Sequence, residues 1–357
     1  MNSSASPCRF GPARRIAVLR ALQLGDLLCA VPALRALKAA HPKAKITLVG
    51  LPLAREFVRR YRHYVDGFLE LPGYPGLSDR PPDVSGIPAF LMLAQAQKFD
   101  VVIQMQGTGN ALNTVAHLMG GRRTAGYYQE GDHVPDRELF MLQPVRDPEV
   151  RQHLKLLGFL GVPSRGEHLE FPLSDAEVSE ASGLMSAHGL LPGRYALVHP
   201  GARLLSRRWA PERFAAVADQ LNADGLRVVL TGTAEERPIT AAVRGVMRTS
   251  AVDLAGCTTV GGVAALVRHA RLVVSNDTAL SHIAAAMRVA SVIVANGSDP
   301  MRWAPLDRNL HKVLYHPIEC RPCTHATCPI GHPCANAVQP DHVMQQAHGL
   351  LRQVPPG

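Results

Sequence analysis

The chain has no apolar run approaching the ~20 residues a membrane-spanning helix needs, and Met1 to Arg15 has no hydrophobic core of the signal-peptide kind. Both absences argue against a helical membrane protein and lead us to expect a cytoplasmic location. No low-complexity tract and no short internal repeat is evident, and the composition is not that of a disordered chain. No zinc-finger, helix-turn-helix or RNA-binding pattern occurs, so nothing beyond charge points to nucleic acid. Acidic residues are scarce: 29 Asp and Glu stand against 38 Lys and Arg, a formal charge of +9, with a pI near 9.4. That balance suits an anionic partner such as a phosphorylated glycan or a membrane surface, or simply solubility through charge.

With 357 residues and 46% hydrophobic content, the chain exceeds one ordinary core and fits two domains. Apolar, β-rich runs alternate with helical patterns, which predicts parallel sheets with crossover helices. The first series runs from the strand Arg15 to Leu19 through a helix around Pro32 to Ala40, strands at 46–49 and 65–71, and the strand Asp100 to Gln104. The second starts at Tyr195 and includes strands at 226–230, 271–275 and 291–294, with Pro211 opening a helix where its missing N–H costs nothing. We expect an α/β fold of two Rossmann-like, doubly wound domains facing a central cleft. The boundaries read as a first domain over 13–170, a connection over 171–191, a second domain over 192–337 and a helical tail over 338–357.

In open α/β sheets ligands lie at the carboxyl ends of the strands, and free N–H groups at the next helix start favour anions. Several turns have that address. After the first strand comes Leu24-Gly25-Asp26, where Gly25 allows close backbone approach and Asp26 supplies a carboxylate suited to a base, or merely a helix-start residue. After the strand at 196–198 comes His199-Pro200-Gly201-Ala202-Arg203, then Arg207-Arg208-Trp209, whose guanidinium groups suit phosphate or a solvated face. Thr231-Gly232-Thr233-Ala234-Glu235-Glu236 offers acids for ribose hydroxyls, or first-turn helix acids. Asn276-Asp277-Thr278-Ala279-Leu280, followed by His282, forms a candidate anion site at a strand-to-helix turn; capping and packing are the bland alternatives. In the first half, Gln106, Thr108 and Asn110 follow a strand and line a candidate acceptor site or make a glycine-rich turn.

Taken together these motifs resemble glycosyltransferase family 9, the ADP-heptose:lipopolysaccharide heptosyltransferases. The resemblance covers Arg15 to about Gln346 and rests on Leu24-Gly25-Asp26 with Pro32-Ala33-Leu34, on His199 to Phe214, and on Asn276 to Ala286. Two departures stand out: Arg207 where the family commonly has lysine, and Ala279 where glycine is usual. The resemblance implies a GT-B fold, an acceptor on the N-terminal domain and a nucleotide-sugar donor, ADP-heptose, on the C-terminal one. It implies inverting transfer without a metal cofactor, with Asp26 at the position of the family's base. Arg207, Arg208 and the helix start at Thr278-Ala279-Leu280 would then take the diphosphate, Asp277 sugar hydroxyls, His282 the turn or a phosphate, and Glu235 or Glu236 the ribose. The acceptor would be an anionic glycolipid or oligosaccharide such as lipopolysaccharide core. Rival readings are a nucleotide-sugar epimerase of the same architecture and a non-catalytic nucleotide-sugar-binding protein.

Two features lie outside this scheme. Cys320, Cys323, Cys328 and Cys334, with His325 and His332 between them, are dense enough to hold a structural zinc or iron; reduced packing thiols and a disulfide are the alternatives. Arg55, Arg59, Arg60 and Arg62, with Phe57 and Tyr61, form a basic stretch that reads as a solvated helix face or as peripheral contact with the inner face of the inner membrane.

Overall fold

A computed structural model describes residues 8–75, 77, 80–107 and 109–353. The chain divides into two compact units, Met1–Leu169 and Glu170–Gly357. The first holds β1 (Arg15–Leu19), α1 (Leu24–Ala40), β2 (Lys45–Gly50), α2 (Ala54–Arg60), β3 (Gly67–Glu70) and α3 (Ile87–Ala96). It continues with β4 (Val101–Gln104), α4 (Gly109–Leu118), β5 (Arg123–Tyr128), β6 (Phe140–Leu142) and α5 (Glu149–Phe159). The second unit opens with α6 (Asp175–His188), β7 (Tyr195–His199), α7 (Pro211–Ala223), β8 (Arg227–Leu230), α8 (Arg237–Val246), β9 (Val252–Asp253) and α9 (Val260–His269). It closes with β10 (Leu272–Asn276), α10 (Ala279–Met287), β11 (Ser291–Val294), α11 (Pro300–Trp303), β12 (His311–Leu314), α12 (Pro333–Asn336) and α13 (Pro340–Gln353).

Each unit is built on one six-stranded sheet, ordered β3-β2-β1-β4-β5-β6 in the first and β12-β11-β10-β7-β8-β9 in the second. Every strand pairing is parallel. The two orders are the same doubly wound plan, in which strand order reverses between β1 and β4, and again between β7 and β10. The strands are apolar because helices cover both faces of such a sheet: Ile16 to Leu19, Val228 to Leu230 and Leu272 to Val274 are all fully buried.

Local sequence explains several boundaries. Ser174 and Glu177 make reciprocal capping bonds at the start of α6, and Gly189 ends that helix in the left-handed region, φ 60°. Residues 171–191, expected as a connection, thus contain a regular helix, which packs on α9. In the tail, α13 buries Val343, Ala347 and Leu350 in the core of the second unit beside α7. A correction concerns α1: it starts at Leu24 and runs through Pro32 rather than starting there. Pro32 removes one helix N–H, a loss tolerated where Leu27, Leu28, Val31 and Leu34 are buried around it. Among the described residues no helix is long and apolar enough to cross a membrane.

Candidate functional site

In the first unit the reversal point brings the turn after β1 beside the turn after β4. Asp26 is the third residue of α1, half-buried, and its carboxylate accepts the Gln23 N–H at 3.0 Å. It therefore caps the helix while keeping part of its surface open. Gly25 is buried in the same first turn. Beneath them Arg20 is fully buried: Nε donates to the Asp26 carbonyl at 2.9 Å, Nη1 to the Met105 carbonyl at 2.6 Å, and Nη2 to Glu149 Oε1 at 2.9 Å. The same Glu149 oxygen lies 3.3 Å from His153 Nε2, and His153 Nδ1 is 3.2 Å from the Tyr127 hydroxyl. This network ties both turns to the start of α5. Sequence reading missed it because Glu149 is far along the chain; the one local hint is a cation directly after an apolar strand.

The acceptor-side candidates divide. Gln106 is buried, its Oε1 accepting the Ala21 N–H at 2.7 Å and its Nε2 donating to the Ala21 carbonyl at 3.2 Å. Its amide fixes the exit of β1. Thr108 lies outside the described residues, and of Asn110 only the backbone, at the start of α4, is described.

In the second unit the reversal point joins the His199 turn to the Asn276 turn. Asn276, fully buried at the end of β10, opens the turn read from sequence as an anion site, but its side chain holds three loops together instead. Its Oδ1 accepts the Trp209 N–H at 3.0 Å and an Asn296 amide at 3.4 Å, while Nδ2 donates to the carbonyls of Pro200 at 2.8 Å and Gly201 at 3.4 Å. Trp209 is itself buried, with its indole N–H on the Val338 carbonyl at 3.0 Å and its ring edge-on to Phe214. This fixes the two arginines before it. Arg208 Nε donates to the Ala202 carbonyl at 2.7 Å, and Arg207 Nη2 to the Cys323 carbonyl at 3.3 Å.

Polar atoms around this point lack partners. Arg207 Nε, Thr278 Oγ1, Ser275 Oγ, Asn296 Oδ1 and Ser298 Oγ are buried without one. Thr278 precedes α10 in extended conformation, leaving the helix start at Ala279 and Leu280 without a side-chain cap. Asp277 is half-buried. His282 is buried on α10, and its charge acts on His311, whose pKa burial pushes down to about 4. Among the described residues no carboxylate pairs with Arg207 or Arg208, so the loops after β7 and β10 gather positive charge and unused donors, an arrangement suited to an anionic group.

Of the two acids after β8, the structure turns Glu236 toward the His199 loop and leaves Glu235 exposed. Glu236 accepts the Thr233 N–H at 2.9 Å and stands 4.0 Å from His199 Nε2. A Cβ on Gly201 would lie 2.1 Å from the Glu236 carboxylate, so only glycine permits that approach. Burial lowers the His199 pKa, with Glu236 and Thr231 opposing, so His199 is neutral near pH 7. The Glu235 carboxyl is held below its usual range by its own backbone N–H and the Thr233 hydroxyl.

The cysteine segment is a scaffold for the arginine loop. Cys323 N–H donates to the Gly297 carbonyl at 2.7 Å, the Ser206 hydroxyl to the His325 carbonyl at 2.6 Å, and His332 Nε2 is 2.8 Å from the Ser206 carbonyl. All the cysteines are free thiols. The expected ligand set for a structural zinc or iron does not assemble: among the described residues no group of three or more His, Cys, Asp or Glu side chains is placed to hold a metal. The His332 ring instead faces the Ser206 carbonyl.

Comparison with known proteins bears on the family and the fold. The model of glycosyltransferase family 9 (heptosyltransferase) matches residues 93–333. Lipopolysaccharide heptosyltransferase 3 of Escherichia coli is 24% identical over 299 residues, covering 80% of this chain and 84% of its own. Among solved structures, a family 9 glycosyltransferase from Veillonella parvula superposes with a TM-score of 0.79 at 21% identity, covering 98% of this chain and all of the other. The E. coli ADP-heptose lipopolysaccharide heptosyltransferase II follows at a TM-score of 0.72 and 20% identity, covering 95% and 99%. These likenesses place the fold in the GT-B group.

Proposed function

The chain belongs to glycosyltransferase family 9, and from that premise we propose that it transfers heptose from ADP-heptose to a hydroxyl of lipopolysaccharide core or a related anionic glycan, with inversion and without a catalytic metal. The observation that carries this reading is the set of unpartnered buried donors and unpaired guanidinium groups at the reversal point of the second unit. A nucleoside diphosphate supplies the negative charge and acceptor oxygens those groups lack. Thr278 and the N–H groups that open α10, with Arg207 and Arg208, are the diphosphate contacts in this account. Asp277 takes hydroxyls of the sugar, and the acids after β8 take the ribose, with Glu236 better placed than Glu235 through its contact with the His199 loop.

Chemically the step is one displacement. The acceptor oxygen forms a bond to the anomeric carbon as the bond from that carbon to the diphosphate oxygen breaks, and the acceptor proton passes to a base. Asp26 is that base: it stands at the carboxyl end of β1, half-buried on α1, and Arg20 locks the backbone beneath it. The charge that grows on the departing diphosphate is met by fixed guanidinium groups and helix N–H donors, the work a divalent ion does elsewhere. We further place the protein at the cytoplasmic face of the inner membrane, where such an acceptor would be met; α2, carrying Arg55, Arg59 and Arg60, would meet anionic headgroups, with Arg59 exchanging its 3.1 Å pairing with Glu56 for them.

The test is acceptor-dependent release of ADP. Purified protein with ADP-heptose and a core oligosaccharide should release ADP much faster than without the acceptor, with the product one heptose heavier by mass spectrometry. ADP-heptose that stays intact while other nucleotide sugars turn over would reassign the donor. Interconversion of the sugar with no acceptor present would point to an epimerase.

A further inference from the structure

Arg321 lies in the segment after β12 that returns to the loop following β11. Its Nη1 donates to the Ser298 carbonyl and its Nη2 to the His316 carbonyl at 3.1 Å, with the Tyr315 ring 5.4 Å from the guanidinium carbon. Its Nε is buried and without a partner, the same condition as Arg207 Nε. The two side chains meet the same turn: Arg207 Nη2 donates to the Cys323 carbonyl at 3.3 Å, two residues beyond Arg321, and the Cys323 N–H donates to the carbonyl of Gly297, next to the Ser298 that holds Arg321. Gly297, in the left-handed region at φ +67°, lets the cysteine segment pack against this loop, since a Cβ there would lie 2.8 Å from Cys323 Cβ.

Two half-buried cations set close together without a paired carboxylate are costly unless an anion joins them. The molecule shows the contrast itself, since fully buried Arg20 is matched by Glu149 at 2.9 Å. Neither Arg207 nor Arg321 has such a match among the described residues, and Ser298, whose carbonyl holds Arg321, also carries an unpartnered buried hydroxyl.

We propose that Arg321 is a second guanidinium contact for the donor's diphosphate, gripping it from the loop after β11 while Arg207 grips it from the loop after β7. This rests on the nucleotide-sugar reading above. Arginine suits the role because two of its nitrogens are occupied in fixing its plane while Nε remains for an oxygen. A purely structural Arg321 would clip Ser298 to His316 and nothing more.

Calorimetry with three probes separates these roles: ADP, inorganic pyrophosphate and adenosine. In Arg321→Gln, affinity for ADP and for pyrophosphate should fall by about 10–100-fold, the range for one hydrogen bond to a charged group, while adenosine binding stays unchanged. Arg321→Lys, which keeps the charge, should recover part of the loss. Equal losses for ADP and adenosine, or unchanged ADP affinity in a folded Arg321→Gln protein, would overturn the proposal and leave the nucleotide-sugar reading intact. Wild-type protein that binds neither ADP nor pyrophosphate would sink both. Should the glutamine variant fail to fold, phenylglyoxal labelling of the wild type decides: ADP and pyrophosphate, but not adenosine, should slow modification of Arg321, and labelling insensitive to ADP would refute the contact.

Discussion

Removing the Asn276 side chain tests whether one buried amide organises the second unit's site. In Asn276→Ala the Trp209 N–H loses its 3.0 Å acceptor and the Pro200 carbonyl its 2.8 Å donor, in a place with no water access. The contacts at 3.4 Å to Gly201 and Asn296 add little. Each stranded buried group costs about 1–3 kcal/mol, and the small cavity adds to that, so a loss of about 3 kcal/mol is expected, a large share of a typical ~5–15 kcal/mol. Asn276→Asp should do no better despite its matching size, because a carboxylate oxygen would replace Nδ2 opposite two carbonyls. Both tryptophans, Trp209 and Trp303, lie in the second unit, so urea unfolding followed by tryptophan fluorescence reports that unit selectively. The alanine variant should show a lower midpoint at a similar slope, together with weaker ADP binding as the Arg207 and His199 loops loosen. A midpoint within error of wild type, or an aspartate variant as stable as asparagine, would refute the reasoning.

Three further outcomes are expected. Glu149→Gln should destabilise the first unit, since it leaves the Arg20 charge buried and unpaired, a change that typically costs ~3–5 kcal/mol when a buried pair is broken; hydrogen exchange should quicken in β1, α1 and β4, and unchanged protection there would count against the network's role. His311, depressed to about 4 by burial, takes up fewer protons folded than unfolded between that pH and ~6.5. Stability from this residue is therefore present above pH ~6.5 and lost as pH falls toward 4, by at most about 3 kcal/mol, so His311→Gln should flatten the acid side of the stability profile, and an unaltered slope would contradict the assignment. Initial transfer rates should survive EDTA with the thermal midpoint intact, whereas activity that vanishes on chelation and returns with magnesium would overturn the metal-free mechanism.

Where the sequence is legible depends on how far apart the interacting residues lie. The strand-to-helix turns at Asp26, His199 and Asp277 can be read because apolar strands such as Ile16 to Leu19 and Leu272 to Val274 give way to polar residues, Arg20 after the first and Ser275-Asn276 after the second. Parallel order then places those turns at the reversal points, a consequence of topology that no single segment contains. Helix α6 hides in a stretch whose mean pattern is polar because only Ala181 and Met185 of its residues are buried. Asn276 looks like any turn residue until Trp209 and Pro200 arrive from elsewhere in the chain. The cysteine spacing suggested ligands, and what the fold makes of the segment is a brace for Ser206 and Arg207, through the His332 ring on the Ser206 carbonyl and the Cys323 carbonyl under Arg207. Arg321 was invisible for the same reason: its meaning comes from Arg207, far along the chain, which reaches the Cys323 carbonyl two residues beyond it.

The central claim, that Asp26 removes the acceptor proton while the second unit holds the donor, is tested most directly by single-turnover transfer in Asp26→Asn beside its ADP affinity. An amide fills the same space and can still cap α1 through its oxygen on the Gln23 N–H, but it cannot take a proton. The account predicts a rate lower by ~10²–10⁴-fold with ADP binding unchanged; transfer near the wild-type rate would contradict it.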